Sequence, residues 1–176
     1  MKKIIALGGS NSKTSINKTL ATYAANQIQD SEVTIIDLNE YSLPLYGPDL
    51  EKEKGIPQDA NKLNTQLEEA DGLVVSLAEH NGSYSVAFKN AFDWLSRIDQ
   101  KVWKNKPMLL MATSPGGRGG ATVLQAAKTS FPHLGAQIVA DFSLPSFHNN
   151  FSETGITDDA LKSELDQKIN QLQNAI

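Results

Sequence analysis

Apolar runs of strand length alternate with stretches whose apolar residues recur every three or four positions, along the whole 176-residue chain. Runs at residues 3–7, 33–37, 72–77, 108–113 and 137–141 predict five strands. Several are apolar at consecutive positions, as strands buried on both faces are. Between them, Ile16, Leu20, Ala24 and Ile28 predict a first helix, and Leu63, Leu67 and Ala70 a second. Leu161, Leu165, Ile169 and Leu172 predict the last, each helix carrying one apolar stripe. Repeated strand-then-helix units predict one α/β domain over residues 1–176, a parallel sheet with right-handed crossovers and helices on both faces. The stretch 39–58, with its prolines, glycines and charges, reads as a long loop after the second strand.

One helix does not fit the single-stripe pattern. Over residues 84–97, Phe88, Phe92 and Leu95 form one stripe, and Ala87, Ala91, Trp94 and Ile98 a second beside it. At ~100° of rotation per residue the two together span roughly 200°, where a helix covering a sheet needs a little over 100°. Either the 39–58 loop or a second subunit must cover the surplus, and the expectation is a subunit, hence a homodimer through this helix.

Composition narrows the function more than the fold. A net charge of −4 with mixed signs gives no basic stripe, so neither nucleic acid nor membrane is an expected partner. No cysteine is present, which excludes thiol nucleophiles, disulfides and thiolate metal sites, and redox chemistry would need a cofactor. The apolar run after Lys2 and Lys3 is shorter than a signal-peptide core, and no run approaches a membrane span. The expected setting is soluble and cytoplasmic.

Ligands of such sheets bind beyond the carboxyl ends of the strands, which directs attention to three loops. The first, Gly8 to Lys18, carries small polar side chains at Ser10, Asn11, Ser12, Thr14, Ser15 and Asn17, where a helix starts. A helix N-terminus and short hydroxyls suit a phosphate; the alternative is that Ser15 or Thr14 merely caps the helix. Neither the P-loop string nor the dinucleotide glycine fingerprint is present, so a terminal monophosphate suits the turn better than a pyrophosphate. Asp37 reads as a strand-end turn residue rather than a ribose ligand. The second loop, Ala78 to Ser85, contains Asn81-Gly82, which tolerates positive φ. The third, Ser114 to Gly120, has four glycines, more than one tight turn requires. Arg118 attracts an anion or is simply solvated. His80 has no partnered serine or aspartate suggesting a triad, and His133 and His148, far apart in sequence, assemble no metal site.

Together the three loops resemble those of the NADPH-dependent FMN reductase family, a flavodoxin-like branch that includes quinone, azo-dye and chromate reductases. The family's first-loop pattern G-S-x-R-x-x-S-x-N is matched by "GSNSKTSIN" at Gly9, Ser10, Ser15 and Asn17, with Ser12 in place of the arginine. Its P-E-Y-N-G-S string and following helix resemble "AEHNGSYSVAFKNAFDWLSR", with Ala78 for proline and His80 for tyrosine, and S-x-G-G-x-G-G matches "SPGGRGG". The resemblance implies a flavodoxin-like three-layer sandwich with strand order 2-1-3-4-5. It implies FMN held by Ser10, Ser12, Ser15, Ile16 and Asn17 from the first loop. Ala78, Glu79, His80, Asn81, Gly82 and Ser83 would serve from the second, and Ser114, Pro115, Gly116, Gly117 and Arg118 from the third. It further implies NADPH or NADH as co-substrate, passing hydride through the flavin to a flavin, quinone or similar planar acceptor, and no catalytic acid or base is expected. The alternative is a flavodoxin-like carrier exchanging electrons with a protein, against which the mild acidity counts.

Overall fold

A computed structural model describes residues 1–176. Its main sheet has five parallel strands: β1 (Lys2–Gly9), β2 (Ser31–Ile36), β3 (Gly72–Leu77), β4 (Lys106–Thr113) and β5 (Ala136–Leu144), in the order β2-β1-β3-β4-β5. Helices α1 (Ile16–Ala25), α2 (Pro48–Lys54), α3 (Gln58–Glu69), α4 (Val86–Ile98), α5 (Ala121–Ser130), α6 (Phe147–Asn150) and α7 (Asp159–Gln173) complete the chain with short 3-10 turns and hairpins. This is the expected doubly wound, flavodoxin-like architecture.

The consecutive apolar residues of the strands divide between two cores. Ile5, Leu7, Val75 and Leu110 face α3, α4 and α5 through Leu63, Phe88 and Val123. Their neighbours Ile4, Ala6, Val74 and Leu109 face α1 and α7 through Leu20, Leu165 and Ile169. Each residue of β3 is buried, so a polar group there must find a partner inside the protein, a point that matters for Ser76 below. The chain leaves β1 toward β2 and returns to β3 on its other side, which places the order reversal, and the ligand crevice of such sheets, at the carboxyl ends of β1 and β3.

Two expectations require correction. The 39–58 stretch is not a plain loop: a 3-10 turn spans Leu38–Glu40, and α2 starts at Pro48, where the missing N–H costs nothing. Helix α2 buries none of its residues, so no apolar stripe could announce it. The second stripe of α4 is also covered from within the chain rather than left for a subunit. Trp94 is fully buried; its Nε1 donates to the Pro44 carbonyl at 2.7 Å, and Tyr46 packs edge-on at 5.0 Å between ring centres. Asn90 donates to the carbonyls of Leu43 and Pro44 and accepts from the Tyr46 N–H, while Arg97 pairs with Glu51. What stays open beside this strap is Val86, 73% exposed, and Leu45, 74% exposed.

Candidate functional site

The first loop leaves β1 at Gly9 and folds on its own hydroxyls. Ser10 Oγ accepts from the Ser12 N–H at 3.1 Å, and Ser12 Oγ from the Thr14 N–H at 3.3 Å. Ser15 Oγ accepts from the Lys18 N–H at 3.1 Å and is the cap of α1, so the capping alternative holds for this residue. The N–H groups of Ile16 and Asn17 then have no acceptor in the protein, as expected in a first helical turn, and they are the loop's donors toward a ligand.

Asn17 lines the cleft, and its side chain is a clamp. It is 2% exposed; its Oδ1 accepts from Ser76 Oγ at 2.7 Å and the Thr113 N–H at 3.0 Å, and its Nδ2 donates to the Thr113 carbonyl at 3.1 Å. One amide thereby joins the first loop to the ends of β3 and β4. Only its backbone N–H remains for a ligand.

The second loop is a two-residue hairpin. Glu79 pairs with Tyr84 and His80 with Ser83 across Asn81 and Gly82, whose φ angles are +51° and +75°. Positive φ at both central residues is the turn that matches strand twist, and it explains the Asn-Gly pair. The Glu79 carboxylate is engaged within the protein: its Oε2 accepts from the N–H groups of Thr122 and Val123, each at 3.0 Å, capping α5. Ser85 caps α4 by accepting from the Phe88 N–H and donates to the Gly9 carbonyl at 2.8 Å. Second loop, third loop and β1 are thus fastened by buried or engaged polar side chains.

The third loop divides its four glycines by function. Gly119 and Gly120 have φ of +56° and +73°; a methyl on Gly119 would overlap Ser143 Oγ and lie 3.0 Å from the Leu144 backbone, and one on Gly120 would lie 2.9 Å from Ala112 Cβ. These two are required by the fold. Gly116 and Gly117 have neither constraint, their nearest neighbours being 3.9 and 4.0 Å from a built methyl. Gly119→Ala is therefore expected to cost about 2 kcal/mol of stability, whereas Gly117→Ala leaves stability unchanged and acts only on whatever ligand lies against the loop. Thermal melts with and without ligand separate the two effects.

Where the loops meet, a cleft of about 290 Å³ is lined by Ser10, Ser12, Ser15, Ile16 and Asn17 from one side and by Ala78, Glu79, His80, Ser114 and Pro115 from the others. Asn81, Gly82, Ser83, Gly116, Gly117 and Arg118 lie outside this lining. Arg118 donates instead to Thr122 Oγ1 at 2.8 Å. Three further residues that sequence reasoning did not assign to the cleft line it: Thr14, Thr113 and His148. A second cleft of about 510 Å³ adjoins it on the α4 side, sharing His80 and bounded by Tyr41, Leu43, Leu45, Val86 and Asn90.

The charge pattern of the first cleft is unusual for an anion site, since no lysine or arginine lines it. Lys13 is exposed beyond its rim, and Lys18 pairs with Asp37. The hydrogen bond from Lys18 holds the Asp37 carboxyl below its ordinary range, against burial acting the other way. Asp37 also accepts from the Asn39 N–H at 2.9 Å, confirming the turn-residue reading.

A doubly wound sheet with a polar cleft at its switch point defines an α/β architecture suited to a phosphate-bearing ligand. The chain belongs to the NADPH-dependent FMN reductase family, whose profile matches residues 2–149. It is 34% identical over 123 residues to a quinone reductase of Escherichia coli, a match covering 68% of this chain and 63% of that relative. It is 30% identical over 179 residues to an NADPH:quinone oxidoreductase of Arabidopsis thaliana, covering 97% and 90%. Among solved structures, a flavoenzyme NAD(P)H:(acceptor) oxidoreductase from Paracoccus denitrificans superimposes with a TM-score of 0.76 at 26% identity, covering 99% of both chains.

The residues present fit FMN. Ile16 and Asn17, whose N–H groups have no acceptor in the protein, line the cleft, and the only lining carboxylate, Glu79, is already engaged by two N–H groups. Side-chain-free backbone at Gly116 and Gly117 leaves room beside the cleft for a flat ring.

Proposed function

We propose that the chain forms a single FMN-binding domain and acts as an NAD(P)H-dependent oxidoreductase on a quinone, a flavin or a similar small planar acceptor. The observation that carries this reading is the convergence of the three family loops on one polar cleft at the β1/β3 switch point. Bound FMN supplies the hydride chemistry. The protein's part is positional. The start of α1 receives the phosphate on the N–H groups of Ile16 and Asn17; the rigid hairpin and the Ser114–Gly117 backbone hold the ring edge. Asn17, Glu79 and Ser85 keep those three contacts in fixed relation. The adjoining cleft beyond His80, with Tyr41, Leu43 and Val86 in its walls, offers an apolar seat for a planar co-substrate. The test is quinone-dependent oxidation of NADPH or NADH by the purified protein; turnover that requires FMN supports the reading, and its absence with every quinone tried in FMN-loaded protein counts against it.

The proposal includes a homodimer through the α4 side, supported by the exposed Val86 and Leu45 next to the second cleft, and a cytoplasmic location, where NAD(P)H is supplied. Val86→Glu combined with Leu45→Glu is expected to convert a dimer to monomers at micromolar concentration without lowering the melting temperature, as read by light scattering. No helix is long and apolar enough to cross a membrane.

A further inference from the structure

A phosphate that binds in the first cleft meets hydroxyls and N–H groups but no lysine or arginine, so the side chains there able to carry positive charge are His80 and His148. Their placements differ. His80 stands in the wall shared with the second cleft, toward α4. His148 rides on α6, which the backbone fixes against the third loop: the Ser146 N–H donates to the Gly116 carbonyl at 2.9 Å and the Phe147 N–H to the Ser114 carbonyl at 3.0 Å. Phe147 is buried in the same core that holds Leu20, Ala21 and Ala24 of α1, and Phe151 meets the Tyr23 ring at 5.3 Å. The segment therefore crosses from the third loop onto α1 and carries His148 into the cleft with Ser12, Ser15 and Ile16.

Its surroundings leave the imidazole available. His148 makes an edge contact with Phe147 at 5.5 Å, and no hydrogen bond or ion pair engages its ring. The first loop carries the exposed Lys13 and the third loop Arg118, which donates to Thr122. The second loop contributes Glu79, whose carboxylate caps α5, and His80. From α1 come Lys18, turned to Asp37, and Tyr23, and the following hairpin adds the exposed Glu153.

We infer that His148, as an imidazolium, is the cationic contact for the FMN phosphate in this protein, filling the role left without a basic side chain at Ser12. The inference rests on the FMN reading above. It accounts for two features together: a phosphate cradle without lysine or arginine, and an exposed histidine that lines the same cleft with no hydrogen-bond partner of its own. A protonated imidazole is a charge-assisted donor to a phosphate and a neutral one is not, so the contact is stronger in acidic than in alkaline solution. The helix N-terminus and hydroxyls carry the remainder at alkaline pH.

The test compares FMN with riboflavin, which lacks the phosphate, by quenching of flavin fluorescence in the wild type, His148→Asn, His148→Lys and His80→Asn. At about pH 6, His148→Asn is expected to weaken FMN by about tenfold while leaving riboflavin within about twofold, the size of one charge-assisted hydrogen bond. The wild-type advantage should close by about pH 8, and His148→Lys should retain FMN affinity there. Equal FMN affinity of wild type and His148→Asn at both pH values overturns the inference, as does an equal loss of both flavins or a split that appears only in His80→Asn. A wild type that binds neither flavin overturns the FMN reading itself, and the inference with it.

Discussion

Replacing Asn17 by leucine is expected to lower stability by about 3–4 kcal/mol, equivalent to a fall of about 10 °C in melting temperature for a chain of this size. The side-chain volume is nearly conserved, so the loss comes from polar groups left behind rather than from a cavity. The Thr113 N–H and carbonyl and the Ser76 hydroxyl all lose their partner in a site that is 0–2% exposed. Each unpaired buried group costs about 1–3 kcal/mol. Removing the second partner as well should recover part of this: Asn17→Leu with Ser76→Ala leaves one fewer orphan. A calorimetric melt of both variants checks the coupling. Because Asn17 holds the first loop to β3 and β4, FMN affinity should fall with stability in the single variant. A residue whose only contact was the ligand would lose affinity and keep its melting temperature.

The second large effect is on binding alone. Ser10→Asp with Ser15→Asp is expected to weaken FMN by about a hundredfold through like-charge repulsion of the phosphate, with riboflavin affected far less. Aspartate is as good a helix cap as serine, so Ser15→Asp should preserve the hydrogen bond to the Lys18 N–H and the start of α1. Ser10 is buried in the cleft wall at 9% exposure, where an aspartate oxygen can still accept from the Ser12 N–H. Isothermal titration at pH 8, where the phosphate is a dianion, gives the largest contrast. Unchanged FMN affinity would remove the first loop from the site.

The fold was legible because its signals are local or periodic. Paired apolar residues such as Ile4 and Ile5, or Val74 and Val75, announce a strand with a core on each face. Asn81-Gly82 announces a turn because few other pairs accept positive φ twice. Helix α2 was illegible for the converse reason: it has no buried face and hence no period to detect. The cover over Trp94 was misread because the pattern shows how wide a stripe is and not what lies on it. Trp94 itself is covered by an internal strap, held by a hydrogen bond across 50 residues of sequence to Pro44, and a second copy is left only the exposed Val86 and Leu45 beside it.

The site was legible in location and less so in division of labour. A polar residue inside a loop motif looks the same whether it holds the ligand or holds the loop, and Asn17 and Glu79 hold the loop. The glycines carry the same ambiguity, resolved only by the atoms that crowd Gly119 and Gly120 and not Gly116 and Gly117. His148 carried no signal at all in the sequence. It reaches the cleft through two backbone hydrogen bonds from residues 146 and 147 to the third loop, and these have no compositional trace.

On the proposed function, this cleft holds FMN in a form that NAD(P)H reduces. The most direct measurement is anaerobic mixing of the FMN-loaded protein with NADPH or NADH while the flavin's visible absorbance is followed. Rapid bleaching by at least one of the two nicotinamides is expected, and return of the colour when a quinone is added. A protein that takes up no FMN, or an FMN-loaded protein that keeps its colour with both nicotinamides, would contradict it.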